Sequence, residues 1–131
     1  PTDAEGDAMD ICIGLTVNFA TNPEAMLTAA DRIVFQVDDG DSNIDCVTEK
    51  DGTATTTDSG VDIASGTAVT LGFHVKSTGS VEFFVNRNKV ATHTANIPDD
   101  ENLALGAMEL SGSATGTKSM NIDYMFAAQD R

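Results

Sequence analysis

The chain has 131 residues, enough for one domain with a real hydrophobic core and too few for two. Apolar residues make up 40% of it, which separates it from disordered chains. Asp and Glu outnumber Lys and Arg by 21 to 7, and a net charge of -14 repels nucleic-acid phosphates and anionic lipid alike, so neither nucleic acid nor membrane is expected as a partner.

No apolar run approaches the roughly 18 to 20 residues that span a bilayer. No basic stretch followed by an apolar one marks a signal peptide, and Pro1 in place of an initiator Met fits a processed product or the ordered part of something longer. Residues 1–8 are polar and acidic and read as an N-terminal arm or loop, leaving 9–131 as a single domain. Ile11, Ile13, Leu15, Val17 and Phe19 then alternate with Cys12, Gly14, Thr16 and Asn18, which predicts a long strand with one inner face. Asn22 as a cap with Pro23 at the first helical position predicts at most one short helical turn, within 23–30.

Ile33, Phe35 and Val37 resume the alternation and end at the turn Asp38-Asp39-Gly40-Asp41. Ile44, Cys46 and Thr48 form the next predicted strand, closed by Lys50-Asp51-Gly52, where Asp-Gly signals a tight hairpin. Thr53 to Asp58 is a Thr-rich strand expected near a sheet edge with one solvated face. A meander follows: Val69, Leu71, Phe73 and Val75, a Gly turn at Thr78-Gly79, then Val81, Phe83 and Val85, a tight corner at Arg87-Asn88, and Lys89 to His93. Leu103 to Leu110 is a further strand, and Met120, Ile122, Tyr124 and Phe126 predict a final one. Strands with turn signals every 8 to 12 residues or so indicate an all-β antiparallel two-sheet β-sandwich or a barrel.

Chemistry-bearing residues are sparse. Cys12 and Cys46 fit no zinc spacing, and free, buried thiols in strands are expected, with pairing as the alternative. His74 and His93 each sit on a predicted strand, with no nucleophile-elbow pattern beside them. Asp38, Asp39, Asp41, Asn43 and Asp45 gather around Gly40 and offer the hard oxygen ligands that Ca²⁺ takes. Ile44 stands where an EF-hand loop requires Gly, so the competing reading is a solvated acidic turn. Phe84 points away from Phe83 and Met125 is out of phase with Tyr124 and Phe126, which makes both candidate interface contacts.

The order Phe73-His74-Val75, Gly turn, Ser80-Val81-Glu82-Phe83-Phe84-Val85-Asn86, Lys89-Val90-Ala91-Thr92-His93, Pro98 loop, Leu103-Ala104-Leu105-Gly106 and Met120-Asn121-Ile122-Asp123-Tyr124 resembles the concanavalin A-like, laminin-G-type jelly roll. More narrowly it is similar to versions of that module in tailed-phage structural proteins, in capsid decoration and in fibres. Asn86-Arg87-Asn88 departs from the Asn-Gly hairpin usual there. The chain is also short for a complete jelly roll, which raises the expectation of a strand that is missing, supplied by another chain, or dispensable.

The resemblance includes glucanases, but their Glu-x-Asp-x-x-Glu strand is absent, and Glu49, Glu82, Glu101 and Glu109 are isolated from one another. No catalytic residue and no cofactor is expected. The resemblance instead implies a non-enzymatic virion component, a phage capsid decoration (cement) or fibre protein on the outer surface. Its implied partners are the major capsid protein or other virion proteins, with self-association, for example as a trimer, as a further expectation. The alternative is a carbohydrate-binding adhesion module for host-surface glycan, Ca²⁺-dependent if the acidic turn holds the ion. With no Trp and one Tyr, stacking faces for sugar are few.

Overall fold

The computed structural model describes residues 9–17, 26–77, 79–111 and 119–129. Among the described residues eight strands are present: β1 (Met9–Thr16), β2 (Arg32–Val37), β3 (Asn43–Lys50), β4 (Thr53–Asp62), β5 (Leu71–Lys76), β6 (Ser80–Val85), β7 (Asn88–His93) and β8 (Ala104–Ser111). They form two antiparallel sheets, a five-stranded one ordered β4-β3-β2-β1-β8 and a three-stranded one ordered β5-β6-β7. The fold is the all-β sandwich that the alternation predicts, and its layout is compatible with a jelly roll. Apart from a 3₁₀ turn at Met26 and Leu27, the described residues contain no helix. The predicted cap at Asn22-Pro23 and the arm 1–8 lie outside the described residues.

The main core lies between the sheets. Ile33, Phe35 and Val37 of β2 and Ile44 and Cys46 of β3 meet Val81, Phe83 and Val85 of β6, all buried. Phe83 is the centre: its ring lies edge-on to Phe35 at 5.3 Å and 87°, and tilted against Phe73 at 6.1 Å. Edge-to-face contact matches the positive ring edge to the negative face and adds to the stabilisation from burial. Three facts set the sheets over one another. Phe73 of β5 reaches Phe35 of β2, β6 covers β2 and β3, and β7 touches β4.

A second, smaller core occupies the outer face of the large sheet, where Cys12, Val34, Val47 and Met108 pack with Met26. β2 is therefore buried on both faces, and Ile33-Val34-Phe35 reads as the continuous apolar run of a central strand. β1 reverses the expected polarity. Cys12, Gly14 and Thr16 are buried, whereas Ile11, Ile13 and Leu15 on the predicted inner face are only half-buried. The reason is coverage: Met26 packs fully buried with Cys12 on the opposite face, while Ile11 and Leu15 lie partly buried against the inner core. Gly14 is required there. A Cβ on it would stand 2.3 Å from the Ile33 carbonyl oxygen, and its φ of +151° is one that side-chain-bearing residues rarely adopt.

The turns follow their residues. Asp51 and Gly52 both have positive φ, as a two-residue hairpin between Lys50 and Thr53 demands. The predicted corner at Arg87-Asn88 sits one residue earlier: Asn86 (φ 51°) and Arg87 (φ 68°) are its central residues, and Asn88 already pairs with Val85. Asn86 also ties down the start of β5, donating its N–H to the Thr70 carbonyl at 2.8 Å and accepting the Thr70 N–H on Oδ1 at 3.0 Å. β4 lies at a sheet edge with alternate residues exposed, as its Thr-rich sequence predicts, and it continues to Asp62.

One predicted element is absent. Met120 to Phe126 forms no strand. Period-two alternation makes a segment competent to be a strand, but a strand also needs a neighbour, and this segment pairs with neither sheet.

Candidate functional site

Four places carry polar chemistry, buried thiols or exposed apolar surface. The first is a polar patch inside the sandwich. β3 and β4 turn Thr48, Thr55 and Thr57 toward the small sheet, and β7 sends His93 down between them. His93 Nδ1 lies 2.9 Å from Thr48 Oγ1, and Nε2 lies 2.9 Å from Thr57 Oγ1. Thr48 has one hydroxyl proton and gives it to the Ala95 carbonyl at 3.1 Å. Toward Nδ1 it must therefore accept, so the neutral ring carries its proton on Nδ1 and receives the Thr57 hydroxyl proton at Nε2.

His93 is buried, with its ring 5.0 Å from Phe83, and burial pushes its pKa below the ordinary 6.5. Asn96 adds a hydrogen bond to Thr55 Oγ1 at 2.9 Å. The Thr57–His93 contact has the donor direction of a base-activated hydroxyl, yet the far ring nitrogen faces a threonine rather than the carboxylate that orients a catalytic base. The patch works as a brace between the sheets. Its legible signal is the threonines recurring at alternate positions; placing His93 among them needs the β7 register, which slips at the bulge between Phe83 and Phe84. His74, by contrast, is exposed, as its phase predicts.

The acidic turn is the second place. Asp41 Oδ1 accepts the Asn43 N–H at 3.0 Å, Asp38 Oδ1 accepts from Gln36 at 2.6 Å, and the Asp39 N–H donates to Asp10 at 2.8 Å. Asp45 faces Asp58 across the β3–β4 ladder. Its carboxyl is held above the ordinary range, first by desolvation and then by the charges of Asp58, Asp38 and Asp41. Among the described residues no three His, Cys, Asp or Glu side chains converge as a metal ion needs. Asp38, Asp39, Asp41, Asn43 and Asp45 thus follow the turn as an acidic strip in which Asp38 and Asp41 accept local hydrogen bonds.

The buried thiols divide between the two cores. Cys12 belongs to the outer cluster and Cys46 to the inner one, on opposite faces of the large sheet, and both are free. Desolvation pushes each thiol up to about 12. Cys12 donates weakly to the Met26 carbonyl at 3.7 Å, and Arg32 donates to the same oxygen at 3.0 Å. The Arg32 guanidinium also binds Glu49 at 2.7 Å and Gln36 at 2.9 Å, so this buried charge is paired with a carboxylate.

At the C-terminal segment, apolar side chains meet solvent. Tyr124 is 77% exposed and Phe126 80%, with Ile122 and Met125 also among the large exposed apolar residues. On β5, Val75 is 43% exposed. Phe84 lies on the outward face of the small sheet beside Gly72 and Lys89, half-buried rather than displayed. Neighbouring Glu82 binds Lys76 at 2.8 Å and Lys89 at 3.3 Å, and the Lys76 contact first of all holds its carboxyl below the usual range. Of the two candidate interface residues, Met125 lies in the exposed segment and Phe84 does not. An open depression of about 500 Å³ between the β3–β4 turn and the loop after β7 has Lys50 as its cation, tied to Asp99 and Asp100.

Compared with protein-family models, curated proteins and solved structures, the chain matches none.

Proposed function

We propose that this chain is a non-enzymatic assembly protein acting by protein–protein contact, a phage capsid decoration or fibre protein on the outer surface of a virion. The observation that supports the contact role is the C-terminal segment. Ile122, Tyr124, Met125 and Phe126 stand exposed on seven consecutive residues outside both sheets. Clustered apolar groups of this size in water are the usual mark of a surface that becomes covered in an assembly. The charge of -14 suits the exterior of a particle rather than contact with packaged DNA. The virion setting rests on the resemblance of the Ala68–Tyr124 region to phage jelly-roll modules.

The test is to purify particles from the source culture and to image them. Density for an eight-stranded sandwich at regular positions on the shell or fibre is the expected result. A chain found only in the unassembled fraction would sink the proposal. Thermal unfolding with Ca²⁺ and with EDTA, together with a glycan array, is expected to show no change and no binding. A rise of several degrees with Ca²⁺, or specific glycan capture, would move the assignment to a carbohydrate-binding module.

A further inference from the structure

Among the described residues the small sheet ends at β5 with one edge unpaired. That edge lies toward β1 and β8 of the large sheet, whose inner-face residues are only partly buried. β7 braces β3 and β4 through His93, β6 covers β2 and β3, and Phe73 of β5 reaches Phe35 of β2, so the next place beyond β5 overlies β1 and β8. The residues below that place are the ones left half-buried: Ile11, Ile13 and Leu15 of β1 and Leu105 and Ala107 of β8. Val75, inward by phase on β5, is exposed at the same rim. One strand laid beside β5 would cover all of them.

The same chain carries an unpaired segment with the matching pattern. Met120, Ile122, Tyr124 and Phe126 share one face, and Asn121, Asp123 and Met125 the other. Its seven residues reach about 23 Å at about 3.3 Å each, enough to run the length of the six-residue β5. Set against β5, its apolar face continues Leu71, Phe73 and Val75, and Asp123 comes onto the face that carries His74 and Lys76. Polarity and charge both agree in that register.

We propose that Met120–Phe126 of one copy adds as a fourth strand to the β5 edge of a second copy, forming a closed homo-oligomer by strand exchange. Main-chain ladder bonds give affinity, and the alternating apolar face gives register. The occupant is a second copy because edge and strand are both exposed in one folded chain, and reciprocal exchange satisfies both at once. Each copy carries a charge of -14, so association tightens as salt screens the repulsion. This self-association is separate from binding to a particle: a chain can pair with itself and still be missing from virions, or the reverse.

Sedimentation equilibrium of the full chain near 100 µM (order of magnitude, for dissociation constants down to micromolar) is the test. An oligomer that strengthens between low and moderate salt is expected. Asp123→Pro removes a ladder N–H from a segment that lies outside both sheets, so folding is retained and the dissociation constant rises about 100-fold or more. Val75→Lys, at an exposed position, weakens association in the same direction. Amide exchange over 120–126 slows in the oligomer and not in the Asp123→Pro chain. A monomer under all these conditions, including one whose tail amides are protected by closure onto its own sheet, overturns the proposal. So does an oligomer that either substitution leaves intact.

Discussion

β6 and the C-terminal segment are written in nearly the same letters and meet opposite fates. Val81, Phe83 and Val85 alternate with Glu82 and Phe84 and are buried at the centre of the sandwich, whereas Ile122, Tyr124 and Phe126 alternate with Asp123 and Met125 and stand in water. The difference is pairing. β6 has a neighbour on each side, and its apolar face meets Ile33, Phe35 and Ile44 of the opposing sheet. The C-terminal segment has no neighbour among the described strands. Alternation states which face of a strand would be buried, and only an adjacent strand with a covering layer makes the burial happen.

The sharpest way to break this comparison is to truncate one aromatic from each region. Phe83→Ala is expected to cost about 3–5 kcal/mol, since the transfer of a buried ring is lost and a cavity remains among Phe35, Phe73 and His93. Phe126→Ala should change the unfolding free energy of the monomer by less than about 0.5 kcal/mol. Urea unfolding of both variants measures the contrast; equal effects would mean that the segment is packed in solution.

Next in size is the support beneath β6. Gly14→Ala drives a methyl group into the Ile33 carbonyl and the Val34 Cα, so about 3 kcal/mol of destabilisation is expected, read as a lower denaturation midpoint at an unchanged slope. Backbone atoms of a central strand cannot move aside as a flexible side chain could.

A smaller effect comes from the polar brace. Thr48→Val keeps the shape and leaves the Nδ1–H of His93 and the Ala95 carbonyl without their partner, a loss of about 1–3 kcal/mol. Asn96→Ala, which removes one bond to Thr55 at the patch margin, should cost less.

The smallest effect is a pH dependence. The pKa of His93 is lower in the folded chain than the 6.5 of the unfolded one, so below pH 6.5 the unfolded chain binds the proton first. Stability is therefore expected to fall as pH drops from about 7 through 6. His93→Gln should flatten that slope. The raised carboxyl of Asp45 acts with the opposite sign, because it protonates first in the folded chain, and its window lies above the ordinary 3.8. A slope between pH 7 and 6 that persists in His93→Gln would show that another group causes it.

Much of the fold was readable because β-structure writes itself locally. Asp51-Gly52 specified a turn with two positive φ values, the Thr-rich stretch marked an edge strand, and the Val69–His93 meander gave three strands and their buried face. The candidate sites were harder to read. The acidic turn looked like a set of ligands because its carboxylates are close in sequence, while in space they do not converge with the geometry of a metal site. Phe84 had the right phase to be outward, but neighbouring side chains leave it half-buried. His93 was visible only as a histidine on a strand.

By itself the sequence determined the class of the chain: an all-β sandwich of about this size, with an acidic surface and strand faces assigned by parity, since turn chemistry and period-two patterning act over a few residues. The tertiary structure alone decided which faces were covered. It buried Cys12 and Val34 on the outer face of the large sheet, closed His93 between two threonines, and among the described residues left one edge of β5 and the segment from Met120 to Phe126 unpaired. Coverage depends on which strands lie side by side, and that is a property of the whole packed chain that no local pattern contains.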